Sequence, residues 1–509
     1  MKPISTLSLL LLAGIFQSSF AQTNIHWSPE FRDALAFSDA IQFGDHFYAA
    51  RTNYNGFVYS RKATTTFSRY DQHLNFINSR QARLTVEGAK ASFDQFLVFQ
   101  NDLQLLLRVA GKVSGSKNFV ICQIDTSSLL RNKASTTIFE DGAIRGHSNF
   151  QLAHVKSPDQ SILLFLRLMK NWSTNEHFIQ AKMMDGNGNG LLDSTLAIGS
   201  SEHRIHLVNT VVDNQGNFSF MSYVKKSVLS RKSPRENILV RYNSQRRELQ
   251  IQHFHPVQGY QLDQMRVYAD EEYLCAAGFY FGLTPENQWR RPVLGIIDAN
   301  SRDTITLQFH DLPKNDYSSY LDERGRPLSK TVKKRDINES AFTNHVRLVL
   351  RWKPNIIVMI SEKTTSSIDP MNLRGRSGRE TVGLQASNIL GDIEIRAFTL
   401  SGEILWKRTI TNQRNLYSSS AVYYNSFLLS NHLDELRLFL QNTYYQDQPS
   451  GILMIKITKE GRATLKGIAT EADDKLQFLP FGSHQILENE YFITSKKRGK
   501  YRYGILRVN

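Results

Sequence analysis

In the segment Asp185-Gly186-Asn187-Gly188-Asn189-Gly190, side-chain oxygens at positions 1, 3 and 5 precede a glycine at 6, an order that can wrap a hard cation such as calcium. Asp193 stands at position 9, so Asp185, Asn187, Asn189 and Asp193 form the candidate ligand set. The bidentate acid expected at position 12 is missing, because Leu196 occupies it. A plain Gly/Asn-rich hairpin turn accounts for the same residues, and no cofactor other than calcium is expected. Two basic clusters suggest anion binding. Residues 221–250 hold eight Lys or Arg against two Glu, including Lys225, Lys226, Arg231, Lys232 and Arg235. Residues 311–390 hold fourteen against nine acids, including Arg374, Arg376 and Arg379. A guanidinium can grip sulfate, carboxylate or phosphate with two parallel hydrogen bonds; a solvated loop without a partner is the plain alternative.

Catalytic signals are weaker. His203, His206, His253 and His255 could supply zinc ligands, but no spaced third ligand or acid motif accompanies them. The Asp-box of sialidases is missing. Paired carboxylates for glycoside chemistry need proximity in space, which spacing in sequence does not reveal. Tyr423-Tyr424 and Tyr444-Tyr445 are the aromatic pairs most suited to a carbohydrate platform, with core packing as their default use.

The elements that must position these residues repeat along the chain. A short apolar run, a polar pair, a turn rich in Gly, Asn, Asp or Ser, and then Leu or Ile recur about eight times. The last strand residue before each turn is Tyr70, Ile124, Met184, Tyr242, Ile297, Phe398, Ile457 and Val508, giving steps of 54, 60, 58, 55, 101, 59 and 51 residues. Two further strand signals precede each signature, as in Ile205 to Asp213, the turn Asn214-Gln215-Gly216-Asn217, and Phe218 to Val224. Four strands per unit follow. Such units in series predict an all-β fold, a single β-propeller of eight four-stranded blades with seven or nine as alternatives. The last unit stops after its third strand and Asn24 to Phe31 has no partner, so the N-terminal segment is expected to close the ring as the missing outer strand. Two polar stretches near 311–344 and 364–387 read as long loop insertions that account for the 101-residue step.

Composition limits the setting. Residues 1–21 have the layout of a secretory signal, with Lys2, an apolar core from Leu7 to Phe16 and Ser19-Phe20-Ala21 at the cleavage point. The propeller then occupies 22–509, exported to the periplasm or beyond, and no later apolar run is long enough for a membrane span. Cys122 and Cys275 fall in units two and five, too far apart on a ring for a disulfide; they read as buried apolar thiols. The formal charge is +15, or +14 without Lys2. For an exported chain lacking a nucleic-acid motif, this favours an envelope or extracellular protein or an acidic polysaccharide over nucleic acid. Sequence leaves the oligomeric state open.

Blade phrases such as Phe67-Ser68-Arg69-Tyr70-Asp71 and Ile395 to Leu405, with a leader ending Phe20-Ala21-Gln22, are similar to those of the uncharacterised exported β-propeller proteins of Bacteroidetes-type Gram-negative bacteria. The resemblance covers nearly the whole mature chain and implies a fold and a compartment; it carries no residue roles. A binding module for an envelope or extracellular partner is the first expectation. A propeller enzyme acting on polysaccharide and a structural part of a surface or secretion assembly are the alternatives. Catalysis requires acids or histidines converging at the ring axis, binding a basic or aromatic rim, and assembly a broad apolar patch outside the core.

Overall fold

The computed structural model describes the chain outside residues 1–24, 32–35, 54–63, 100, 111–116, 141–146, 172, 201–203, 226–234, 255–259, 283–289, 312–342, 375–379, 412–413, 417–426, 433, 443–450, 470–476, 498–499 and 509. Its strands form eight antiparallel sheets in series, the blades of a β-propeller. The repeated apolar run is the third strand of its blade in every case: Thr64–Asp71, Lys117–Ile124, Glu176–Asp185, Arg235–Asn243, Arg291–Asp298, Glu380–Thr399, Gly451–Thr458 and Lys500–Arg507. The physical reason is burial on both faces. In blade 7, Ile452, Leu453, Met454 and Ile455 are consecutive and all fully buried, so the strand reads as an unbroken apolar run rather than an alternation.

Each blade packs its faces against its two neighbours. The buried apolar residues divide into eight clusters, each shared by two consecutive blades: Phe67 and Phe93 join blades 1 and 2, for example, and Phe279 and Met359 join blades 5 and 6. The eighth cluster unites Phe47 and Tyr70 of blade 1 with Phe492 and Tyr503 of blade 8, which makes the array a closed ring. Closure uses the N-terminal strand as expected. Ile25–Trp27 pairs antiparallel with Lys500–Arg507, in the register Ile25↔Leu506, His26↔Ile505 and Trp27↔Gly504.

First strands of neighbouring blades contact one another around the axis, as in Ala36–Phe43 against Ala89–Phe99 and Tyr260–Ala269 against Thr343–Lys353. First strands are therefore innermost and fourth strands outermost. Most inner strands are bulged near their middle, at Phe37/Asp39, Phe93/Gln95, Ser148/Gln151, Leu207/Asn209, Asp263/Arg266, Val346/Leu348 and Leu479/His484. A bulge frees backbone N–H groups from the ladder, and the next blade's are taken up across the seam. Asp39 accepts from the Phe96 N–H at 2.7 Å, Gln151 from Leu207 at 3.0 Å and Asn209 from Val267 at 2.6 Å.

The up-and-down order gives the ring two unlike faces. On one lie the turns joining first to second and third to fourth strands; nearly all hold two to six residues, 299–307 being longer. A belt of polar contacts links these turns from blade to blade. Asn214 accepts from the Asp159 N–H at 3.1 Å and donates to Glu271 at 3.0 Å. Arg351 reaches Asp270 and Glu272, Lys353 lies 3.5 Å from Asp434, and His432 lies 3.0 Å from Glu488. The opposite face carries the connections from second to third strands and from one blade to the next.

One insertion differs from expectation. Residues 364–387, read as a loop, largely continue the second and third strands of blade 6 as an antiparallel hairpin, Ile356–Arg374 with Glu380–Thr399, paired out to Arg374↔Glu380. About ten residues per arm extend beyond Thr364, or roughly 30 Å of strand. Its Ser/Thr-rich arms lack the apolar pattern of a blade strand. Apart from residues 311 and 343–344, the other insertion, 311–344, lies outside the described residues.

Candidate functional site

The Asp185 turn is one of three built alike. Asp71, Asp185 and Asp213 each accept backbone N–H groups from the residues two and four positions on, and each also accepts the side-chain amide of the Asn at the fourth, all at 2.8 to 2.9 Å. Hydrogen bonds, led by those from Asn189, hold the Asp185 carboxyl below its ordinary range. Asn187 and Asn189 lie in the turn, and Asp193 is on the following strand, 3.4 Å from Lys182. Among the described residues, no group of three or more His, Cys, Asp or Glu is arranged to hold a metal. A turn cap explains Asp185 by the same chemistry as Asp71 and Asp213. Removing the buried carboxylate of Asp213 leaves three donors without their acceptor, so Asp213→Ala is expected to cost about 1–3 kcal/mol in a denaturant melt. Asp185→Ala, at a half-buried position, should cost less, and by the same amount with calcium or a chelator.

His206 and His253 lie on the inner and outer strands of blade 4, three strand spacings or about 14 Å apart. They cannot share a zinc ion. His206 stacks on Tyr223 and His253 lies 2.7 Å from Glu236; His203 and His255 fall outside the described residues, as do both tyrosine pairs. Cys122 and Cys275 are buried free thiols, and burial pushes the Cys122 thiol up to about 11.

Of the basic clusters, Lys225 and Arg235 are placed by their backbone, paired with each other at the base of the hairpin between the second and third strands of blade 4. Lys226, Arg231 and Lys232 belong to its connecting residues, which are not described. Arg374 ends the described arm of the blade 6 hairpin, with Arg376 and Arg379 at the undescribed tip. Both hairpins join second to third strands, so they leave the same face of the ring. Several other basic residues in these clusters serve the fold. Arg241 donates to the carbonyls of Ala299, Ser301 and Asp303; Arg347 pairs with Glu362, and Lys363 with Asp392 and Glu394.

Ionisable groups that sequence did not single out gather on the inner strands. In blade 2 the bulge makes Asp94 the extra residue, re-aimed out of the ladder, where its carboxylate lies 2.6 Å from Arg108 and 3.2 Å from the His154 imidazole of blade 3. Burial lowers the His154 value, against the opposing pull of Asp94. Asp39 of blade 1 is half-buried. Burial pushes its carboxyl up to about 7, against hydrogen bonds from Phe96 and Ala40 and the nearby Lys156 charge. Across the ring, at the seam of blades 5 and 6, Arg290 pairs with Asp263 and Arg347 with Glu362, each at 2.9 Å. Arg266 lies between these pairs and donates from Nε to the Val346 carbonyl at 2.5 Å. The only sequence signal was a charged residue inside an apolar strand, and convergence between blades is invisible along the chain.

Among the described residues, several large apolar side chains are exposed. Phe76, Leu130, Leu191 and Leu405 each stand near the start of an outer strand in a different blade. Among the described residues, no helix is long and apolar enough to cross a membrane, which says nothing of strands.

These features define the class, an eight-bladed β-propeller closed by its N-terminal strand, with charged groups along its inner wall and two basic hairpins on one face. No protein-family model matches the chain, and no curated protein matches it in sequence. Among solved structures it is similar to the WD40 domain of SCAP from fission yeast, with a TM-score of 0.39 and 8% identity over 95% of this chain and 98% of that one. The Dos1 propeller gives a TM-score of 0.37 and 11% identity over 88% and 84%. Polysaccharide lyase Uly1 gives 0.35 and 9% over 84% and 94%. Likeness at this level carries no inference about activity.

Proposed function

We propose that the protein is an exported interaction module whose loop-bearing face engages an anionic envelope or extracellular partner, with acidic polysaccharide as the first candidate. The observation supporting this reading is the topology that sends the Lys225–Arg235 and Arg374–Glu380 hairpins out of one face. Clustered cations attract a polyanion by long-range charge, and arginines add bidentate contacts. The belt of contacts on the other face leaves the longer connections to meet a partner. The test changes Lys225, Lys226, Arg231 and Lys232 together to Ala and measures retention on immobilised polygalacturonate across a sodium chloride series. Binding is expected to weaken at least tenfold at low salt, with a shallower dependence on salt concentration. Unchanged retention at every salt concentration would remove the reading.

The enzyme reading has one observation in its favour, the approach of Asp94 and His154 with Asp39 held near neutrality on the inner wall. A carboxyl that titrates near pH 7 suits general acid–base work. Release of reducing ends from polygalacturonate by the wild type, abolished in Asp39→Asn, would establish it.

A further inference from the structure

At the seam of blades 5 and 6 the inner wall holds the Arg266 guanidinium, with which no acid pairs among the described residues. Arg266 follows a two-residue bulge in the inner strand of blade 5 and crosses the seam to the inner strand of blade 6, where Nε donates to the Val346 carbonyl. The carboxylates beside it are engaged by other arginines, Asp263 by Arg290 and Glu362 by Arg347. Among the described residues no acid pairs with Arg266. Among the described residues, these groups carry three positive charges against two negative ones. The surroundings register it. Burial and the nearby Arg347 charge lower the Arg266 value to about 10, and His345 is pushed down to about 4 by burial first and then by Arg347, with Arg290 and Arg266 adding to the effect.

A partly desolvated cation with no counter-ion is stabilised when an anion meets it. Arg266 is half-buried. With its Nε engaged by Val346, the outer edge of the fork is the part left to meet a ligand. The position is also fixed along the axis. His345 and Val346 lie in the first half of their inner strand and Arg290 immediately precedes a third strand, while Arg266 is the seventh of ten residues in its own strand, so the contact with Val346 sits near the middle of the wall.

We propose that Arg266, framed by the Arg290–Asp263 and Arg347–Glu362 pairs, binds a single carboxylate of the partner, the uronate group of an acidic sugar. One excess positive charge matches a monoanion, and the planar fork matches a carboxylate. This rests on the reading of an acidic polysaccharide as partner, and locates where one of its sugar units is held.

The test uses the full mature chain and three probes in isothermal titration: sodium galacturonate, neutral galactose and sodium glutamate. Wild type is expected to bind galacturonate, and neither galactose nor glutamate measurably. Arg266→Met should weaken galacturonate binding at least tenfold, while melting no lower than wild type in probe-free buffer, because it removes a half-buried charge with which no described acid pairs. Arg266→Lys keeps the charge but not the fork and should bind with intermediate strength. Retention of Arg266→Met and of the quadruple Ala variant on polygalacturonate, measured beside the titrations, reads failure of the rim and failure of this site separately. Equal galacturonate binding by wild type and Arg266→Met overturns the site. A probe-free melting point several degrees lower in both Arg266 variants does so too, since it would show an internal partner for the charge. Binding of glutamate as tight as that of galacturonate overturns the sugar assignment.

Discussion

A chain lacking residues 22–31 should lose most of its resistance to denaturant and associate on size-exclusion chromatography, because it opens the ring at its one seam made from distant parts of the sequence. The closing segment does more than add three paired residues. Beyond Trp27, the Ser28 N–H donates to the Tyr503 carbonyl at 2.8 Å and the Ser28 hydroxyl accepts from the Tyr503 N–H at 3.0 Å. Phe31 exchanges both backbone hydrogen bonds with Tyr501. The Arg502 guanidinium lies 4.2 Å over the Trp27 ring, and that of Arg51 4.1 Å over Phe31. Without the segment, the edge of Lys500–Arg507 stands unpaired beside Ile505 and Leu506, a template for association. A single-residue variant tests the same contact more gently. A Cβ at Gly504 would stand 2.8 Å from Trp27 ring carbons, so Gly504→Ala must displace the indole, at a cost of about 1–3 kcal/mol. Equal melts for the truncated and complete chains would mean that the seam holds without its strand.

The second large effect is a dependence on pH assigned to Asp39. Burial pushes its carboxyl up to about 7 in the folded ring, from an ordinary value of 3.8. The folded state therefore binds the extra proton between these values, and stability falls as pH rises from about 4 to about 7. Above about pH 8 the full cost of holding the charge remains, of order 2–4 kcal/mol. Asn keeps an oxygen for the Phe96 N–H and carries no charge. Asp39→Asn should accordingly match wild type near pH 4 and exceed it by that amount at pH 8, with Lys156, whose charge opposes part of the cost, trimming the gain. Denaturant titrations of both proteins at four pH values give the difference directly. A difference independent of pH would show that Asp39 is not the group responsible.

Third strands were legible because both faces are buried, so that Phe119 to Cys122 or Ile452 to Ile455 stand as apolar runs closed by a turn. Inner strands were not. The bulge at Asp94 breaks the alternation of period two, and the partners of Asp39, Asp94 and Arg266 come from the next blade, more than fifty residues away. The blade 6 hairpin was read as loop because arms outside the ring need no apolar face. Density of charge misled in a different way: Arg241, Arg347, Arg351, Lys353 and Lys363 entered the basic counts, yet each is engaged within the fold.

The eight apolar clusters make the seam between blades, rather than the blade, the unit that must be matched. A ring of eight blades has eight seams, whereas an arc of eight has seven and two naked faces. Moving the chain break from within blade 8 to an interblade connection, with the present ends joined by a linker, preserves every seam. Circular permutation should therefore be tolerated where such a connection is exposed, while deleting one blade removes two seams and demands that two faces never shaped for each other meet.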